Sequence, residues 1–163
     1  MSLPTSAKPY VLGASEGDER WFLGSHTALK VTGEQTVGGL AIVEGWGPRG
    51  HGSPHHIHHA EDEIFYVLDG ELRLEVDDEL HTLSAGMMGF GPRDVKHRFS
   101  VTSPEARFLI MVTPAGFENF VREASVPAAE RRIPEPSEPD MEALNAAAVI
   151  YQMEIIGPPL DIG

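Results

Sequence analysis

The stretch 51-HGSPHHIHHAEDEIFYVLDG-70 decides how this chain is read. It holds His51, His55, His56, His58 and His59, five of the eight histidines present, and Glu61, Asp62 and Glu63 follow at once. A β-rich apolar run comes next. Alternate side chains of a strand share a face. His56 and His58 therefore project together, while His55, Ile57 and His59 face the other way. Two imidazoles on one strand face can be offered to one ion, and neutral imidazole is a common ligand for divalent transition metals. Glu63 shares its face with Phe65 and Val67. A carboxylate there is costly to bury unless it is paired or bound to a cation. In 86-GMMGFGPRDVKHRFSV-101, His97 alternates with Phe99 and Val101 and supplies a fourth candidate ligand.

Each of these features has an ordinary reading when taken alone. A His-x-His pair occurs by chance in surface loops, 61-EDE-63 makes a solvated acidic turn, and a lone His97 is a satisfied core histidine. Their joint spacing is what turns them into a site.

Around this stretch the chain reads as short strands. 28-ALKVTG-33, 37-VGGLAIVEGW-46, 63-EIFYVLDG-70, 71-ELRLEV-76, 79-ELHTL-83, 87-MMGFG-91, 96-KHRFSV-101 and 106-ARFLIMVT-113 each suit one by length or alternation. 68-LDGEL-72 has the Asp-Gly signal of a hairpin, and 77-DDE-79 and 91-GPRD-94 read as further turns. No long amphipathic helix interrupts the series, which excludes a parallel α/β sheet. After Pro114 the character changes. 115-AGFENFVREAS-125 and 140-DMEALNAAAVIYQM-153 have helical spacing, the second with Asp140 as N-cap. The proline-rich 127-PAAERRIPEPSEPD-140 is a loop. The expected organisation is all-β over residues 1–113, with 114–163 as helices and a tail packed on the barrel.

Composition sets outer limits. The chain has 163 residues, enough for one core, with 41% hydrophobic residues and a net charge of −13. That charge argues against nucleic acid and anionic membrane surfaces as partners. No apolar run approaches the roughly 18 residues of a membrane span. 1-MSLPTSAKPYVLG-13 lacks the apolar core of a secretory signal, so a cytoplasmic setting is expected. There is no cysteine, so any metal must be held by His, carboxylate or water.

The spacing Gly50, five residues, His56, one residue, His58, four residues, Glu63, six residues, Gly70 resembles the first signature of the cupin superfamily. Gly86, five residues, Pro92 and then His97 resembles the second. Asp94 stands where the family usually has Gly, and Val101 where it often has Asn. Asp tolerates the left-handed region, so the turn survives. The resemblance implies a single jelly-roll barrel with a C-terminal helical extension. It implies one divalent transition metal per chain, held by His56, His58, Glu63 and His97; Fe, Mn, Ni, Co, Cu and Zn all suit that set. His51, His55 and His59 are assigned to loop surface or to the surroundings of the ligands. His26 and His81 receive no role.

90-FGPRDVKH-97, 113-TPAGFENF-120 and 157-GPPL-160 are similar to the quercetin-dioxygenase-like monocupins. That implies a dioxygenase acting on a flavonol-like or other enolisable aromatic, with dioxygen as co-substrate and Glu63 as both ligand and general base. Phe65, Phe90, Phe99 and Met111 are candidate pocket walls. The alternatives are a non-oxidative lyase, decarboxylase or isomerase, and a non-catalytic binding cupin. Sugar-phosphate chemistry is disfavoured, because only Arg49, Arg73, Arg93, Lys96 and Arg98 lie near the motifs. The resemblance also implies a homodimer, and the apolar 144-LNAAAVIY-151 needs cover from a neighbour or from its own barrel.

Overall fold

In this computed structural model, which describes residues 6–163, the alternation read from sequence becomes the two faces of real strands. Residues 1–5 of the N-terminal stretch lie outside the described residues. In chain order the elements are β1 (Asp18–Phe22), β2 (Ser25–Val31), α1 (Gly33–Thr36), β3 (Ala41–Pro48), β4 (His55–His58), β5 (Asp62–Asp69), β6 (Glu71–Val76), β7 (Glu79–Ser84) and β8 (Met88–Gly91). Then follow β9 (His97–Val101), β10 (Glu105–Thr113), α2 (Phe117–Glu123), β11 (Val126–Pro127), α3 (Met141–Ile150) and β12 (Met153–Gly157).

The strands form two antiparallel sheets. One runs β11-β1-β2-β3-β10-β5-β8, the other β12-β4-β9-β6-β7. Their inner faces meet in a core that includes Val43, Phe65, Val67, Leu72, Leu74, Phe99, Phe108 and Val112, all buried. Each such side chain contributes about 1.5–3 kcal/mol by leaving water. The face of β3 that looks inward is Ala41, Val43, Gly45 and Gly47. A Cβ at Gly45 would lie 2.6 Å from the Phe108 ring, and one at Gly47 2.5 Å from the His51 ring. The second half of β3 thus gives up its own side chains to seat two rings from elsewhere.

Two turns separate by physics. Asp77 and Asp78 both have positive φ (48° and 67°) and join β6 to β7 as a two-residue hairpin loop. The Asp69-Gly70 signal is not a hairpin: β5 and β6 belong to different sheets. Gly70 (φ 82°) turns the chain from one sheet to the other, passing so close to the Glu105 carbonyl that a Cβ would clash.

The C-terminal region departs from expectation in one respect. α2 and α3 form, and Asp140 caps α3 by accepting from the Ala143 N–H (3.0 Å). The helix ends at Ile150, however, and 153–157 pair antiparallel with β4 as an edge strand. The tail is therefore part of the barrel sheet rather than a cover laid on it. Among the described residues, no helix is long and apolar enough to cross a membrane.

Candidate metal centre

His56 and His58 occupy the inward face of β4, and His97 sits opposite His56 on the adjacent β9. Glu63 comes from β5 in the other sheet, so the four side chains converge between the sheets. Each is buried, and one ligand atom from each lies within 4.8 Å of the others. Glu63 Oε2 is 2.6 Å from His97 Nε2, 2.9 Å from His58 Nε2 and 3.9 Å from His56 Nε2. His56 Nε2 and His58 Nε2 are themselves 3.2 Å apart.

The far nitrogens explain why these atoms need a cation. His56 Nδ1 faces the Pro54 carbonyl (2.7 Å), His97 Nδ1 the Val95 carbonyl (3.1 Å), and His58 Nδ1 the Glu61 carboxylate (3.2 Å). Those partners only accept, so each Nδ1–H must donate. In neutral imidazole that leaves Nε2 as a bare lone pair. Three bare nitrogens and a carboxylate oxygen then point at one another, an arrangement that is repulsive until something positive joins it. The donor set of three imidazoles and one carboxylate fits a divalent transition ion.

The electrostatics of the metal-free cluster agree. Burial pushes His56 down to about 4, with Glu63 opposing. Burial also works against charge on His58, but Glu63 and Glu61 outweigh it and raise His58 to about 10. Burial acts to raise Glu63, yet His58 and His97 hold it well below the usual carboxylate range. One proton on His58 serves the free cluster, in the place where a metal serves all four groups.

Residues 43–113 match the cupin domain family. The chain belongs to the cupin superfamily. This cupin is 31% identical over 121 residues to quercetin 2,3-dioxygenase of Bacillus subtilis (strain 168), covering 74% of the chain and 36% of that protein. It therefore spans little more than a third of that relative's length. It is 33% identical over 99 residues to Protein SchB of Streptomyces halstedii, covering 60% of the chain and 67% of SchB. Two solved structures share the fold. A predicted oxalate decarboxylase from Thermotoga maritima aligns with a TM-score of 0.60 at 21% identity, over 64% of this chain and 99% of its own. An RmlC-like cupin from Shewanella frigidimarina NCIMB 400 aligns at 0.59 and 21%, over 69% and 96%.

The centre opens onto a cavity walled by side chains of both sheets and by Phe117, Phe120 and Val121 of α2 and Leu144 of α3. Of the four expected wall residues, only Phe99 lines it. Phe65 is fully buried behind the wall, with its ring edge-on to His97. Phe90 is 51% exposed, because on β8 it is the neighbouring Gly91 that faces His97. Met111 lies on the outer face of β10, while Ile110 and Val112 point in. Both corrections are a one-residue choice of face, which a short apolar run leaves open.

Three residues carry more than their sequence reading suggested. Glu61, expected in a solvated turn, is buried; one carboxylate oxygen accepts from His58 and the other from the Phe117 N–H (2.9 Å) at the start of α2. It ties a ligand of the centre to the helix that walls the cavity. Asp94 adopts the left-handed conformation (φ 66°) in the position usual for Gly, and its N–H donates to the His58 carbonyl (2.8 Å). His51, expected at the loop surface or in the surroundings of the ligands, lines the cavity beside His56 and Glu63.

Proposed function

We propose that this cupin is a metal-dependent dioxygenase acting on a neutral, enolisable aromatic of the flavonol type, with Glu63 as both ligand and general base. The observation that carries the reading is a cluster demanding a cation that opens into an apolar cavity, with no Lys or Arg among the described residues lining it. An anionic substrate such as a sugar phosphate or a dicarboxylate would find no side-chain countercharge there beyond the ion itself. The similarity to quercetin 2,3-dioxygenase supports the same class. When bound, the ion would supply Lewis acidity and exchangeable positions for a substrate oxygen and dioxygen.

The protein's own part is proton handling and exclusion of water. Glu63 lines the cavity and is otherwise enclosed, so a proton taken from a substrate hydroxyl meets no competing solvent. Glu61 keeps the His58 ring turned so that Nε2 faces inward. The cavity is narrow, about 50 Å³, room for only a few water molecules. A bicyclic ligand therefore enters by displacing the wall that α2 and α3 contribute. Oxygen uptake on adding a flavonol to metal-loaded protein tests the reading. Metal-loaded protein that binds flavonols without consuming oxygen would move it to the lyase or binding alternatives.

A homodimer belongs to the same proposal. Leu144, Ala147 and Ala148 of α3 are covered by their own barrel, so that part of the motivation is met within the chain. Support comes instead from Val149 and Ile150 on α3 and from Met88 and Phe90 on the edge strand β8, all exposed apolar groups. Light scattering giving the monomer mass at micromolar concentration would reject it.

A further inference from the structure

We infer that His51 is a second recognition point in the cavity, an imidazole presented as a hydrogen-bond acceptor that selects aromatic ligands bearing a hydroxyl or N–H donor over those without one. Its position is built rather than incidental. Gly50 (φ 87°) turns the chain after β3, and the His51 N–H donates to the Pro48 carbonyl (2.9 Å) while its carbonyl accepts from Val101 (2.7 Å). The ring lies in the space vacated by Gly47, stacked on Phe108 (centroids 6.3 Å apart) and edge-on to Phe99 (5.8 Å). Its ring partners are thus aromatic wall residues rather than the three histidines of the centre.

The tautomer follows from the partner. His51 Nδ1 lies 3.0 Å from the Leu23 carbonyl, which can only accept, so Nδ1 carries the proton and Nε2 the lone pair. Burial lowers the basicity of this imidazole to about 4, which keeps it neutral at physiological pH. Nε2 has no hydrogen-bond partner among the described residues. The other polar side chains of the wall, outside the metal centre, each make at least one hydrogen bond. Ser25 Oγ donates to the Phe22 carbonyl and bonds Thr27 Oγ1, and Ser53 Oγ accepts from the Phe99 N–H. His51 Nε2 is therefore a ring nitrogen that makes no hydrogen bond among the described residues and stands in a largely apolar wall. A lone acceptor in such a wall discriminates well, because a ligand that leaves it unpaired forfeits the hydrogen bond and still desolvates the nitrogen.

The inference rests on the proposed function only in placing the ligand's other end at the metal, and its test is separable. Zinc-loaded protein with ¹⁵N-labelled histidine is titrated with phenol and with toluene, single rings that differ in one donor. The expected result is that phenol moves the His51 Nε2 resonance toward the value of a protonated nitrogen and toluene does not. The preference for phenol should fall about fivefold in His51→Phe, which keeps the ring, with zinc content unchanged. Phenol also meets the metal, so the drop between wild type and variant, rather than the wild-type ratio, isolates His51. An unchanged ratio in His51→Phe, or a wild-type resonance that answers both probes alike, would overturn the assignment. Should His51→Phe fail to fold, the wild-type resonance decides alone. Failure of flavonols to drive oxygen uptake would count against the dioxygenase reading and leave this result standing.

Discussion

The two faces of β4 carry the same residue type into opposite chemistry. On the inward face, His56 and His58 are buried with their Nε2 atoms converging on Glu63 and His97. On the outward side, His59 is exposed and clasped by two carboxylates, Asp94 at 2.7 Å and Glu154 at 3.0 Å. These pairings raise the pKa of His59. His55 lies 3.8 Å from Glu75, too far for a hydrogen bond. One residue of register separates an imidazole facing the other ligands of the centre from one clasped by surface carboxylates. What a histidine does here is set by which acceptors face its two nitrogens, not by its membership of a cluster.

The largest effect that would sharpen the contrast lies on the inward side. Metal-loaded Glu63→Gln should bind substrate yet turn it over at least about 100-fold more slowly, because the amide has no basic oxygen. Near-wild-type turnover would remove the base role and leave the centre intact. Glu61→Ala should weaken metal binding by about 10- to 100-fold through loss of the bond that orients His58, whereas Asp62→Asn, on the outward face of β5, should not. Competition with a metal chelator reads both, and equal affinities would break the claim for Glu61.

The pH dependence follows from His58. Its folded pKa, about 10, exceeds the ordinary 6.5. In the metal-free protein the bound proton therefore stabilises the fold fully below pH 6.5, and that stabilisation is lost as pH climbs through 10. Metal must displace this proton, so apparent affinity should rise about tenfold per pH unit between pH 7 and 9. A flat profile would mean that His58 is already neutral. The smallest effect belongs to the outward face: His59→Ala should change stability by no more than about 1 kcal/mol, since its ion pairs are exposed. A larger loss in chemical denaturation would show that the surface clasp holds β12 in place.

Where local period governs, the sequence was legible. Alternation put His56 with His58, Glu63 with Phe65, and His97 with Phe99, and burial follows that pattern. The signature spacing led to the fold and to the four residues that meet. What stayed hidden depends on long-range contact. β12 is five residues whose partner lies about 100 positions away, and nothing in 153-MEIIG-157 names β4. The Asp69-Gly70 turn looks like a hairpin until the two sheets are known. His51 lies in a loop without a period, and its direction is set by the absence of a side chain at Gly47. Glu61 reads as solvated because the partner that buries its second oxygen, the Phe117 N–H, lies 56 positions away.

The metal content of four single variants decides which face of β4 holds the ion. Purified wild-type protein, His56→Ala, His58→Ala, His55→Ala and His59→Ala are each equilibrated with one divalent metal, desalted and analysed for bound ion. About one ion per chain is expected in the wild type, His55→Ala and His59→Ala, and loss of stoichiometric binding in His56→Ala and His58→Ala. Full metal in His58→Ala together with loss in His55→Ala or His59→Ala would contradict it, placing the ion on the other face of the strand.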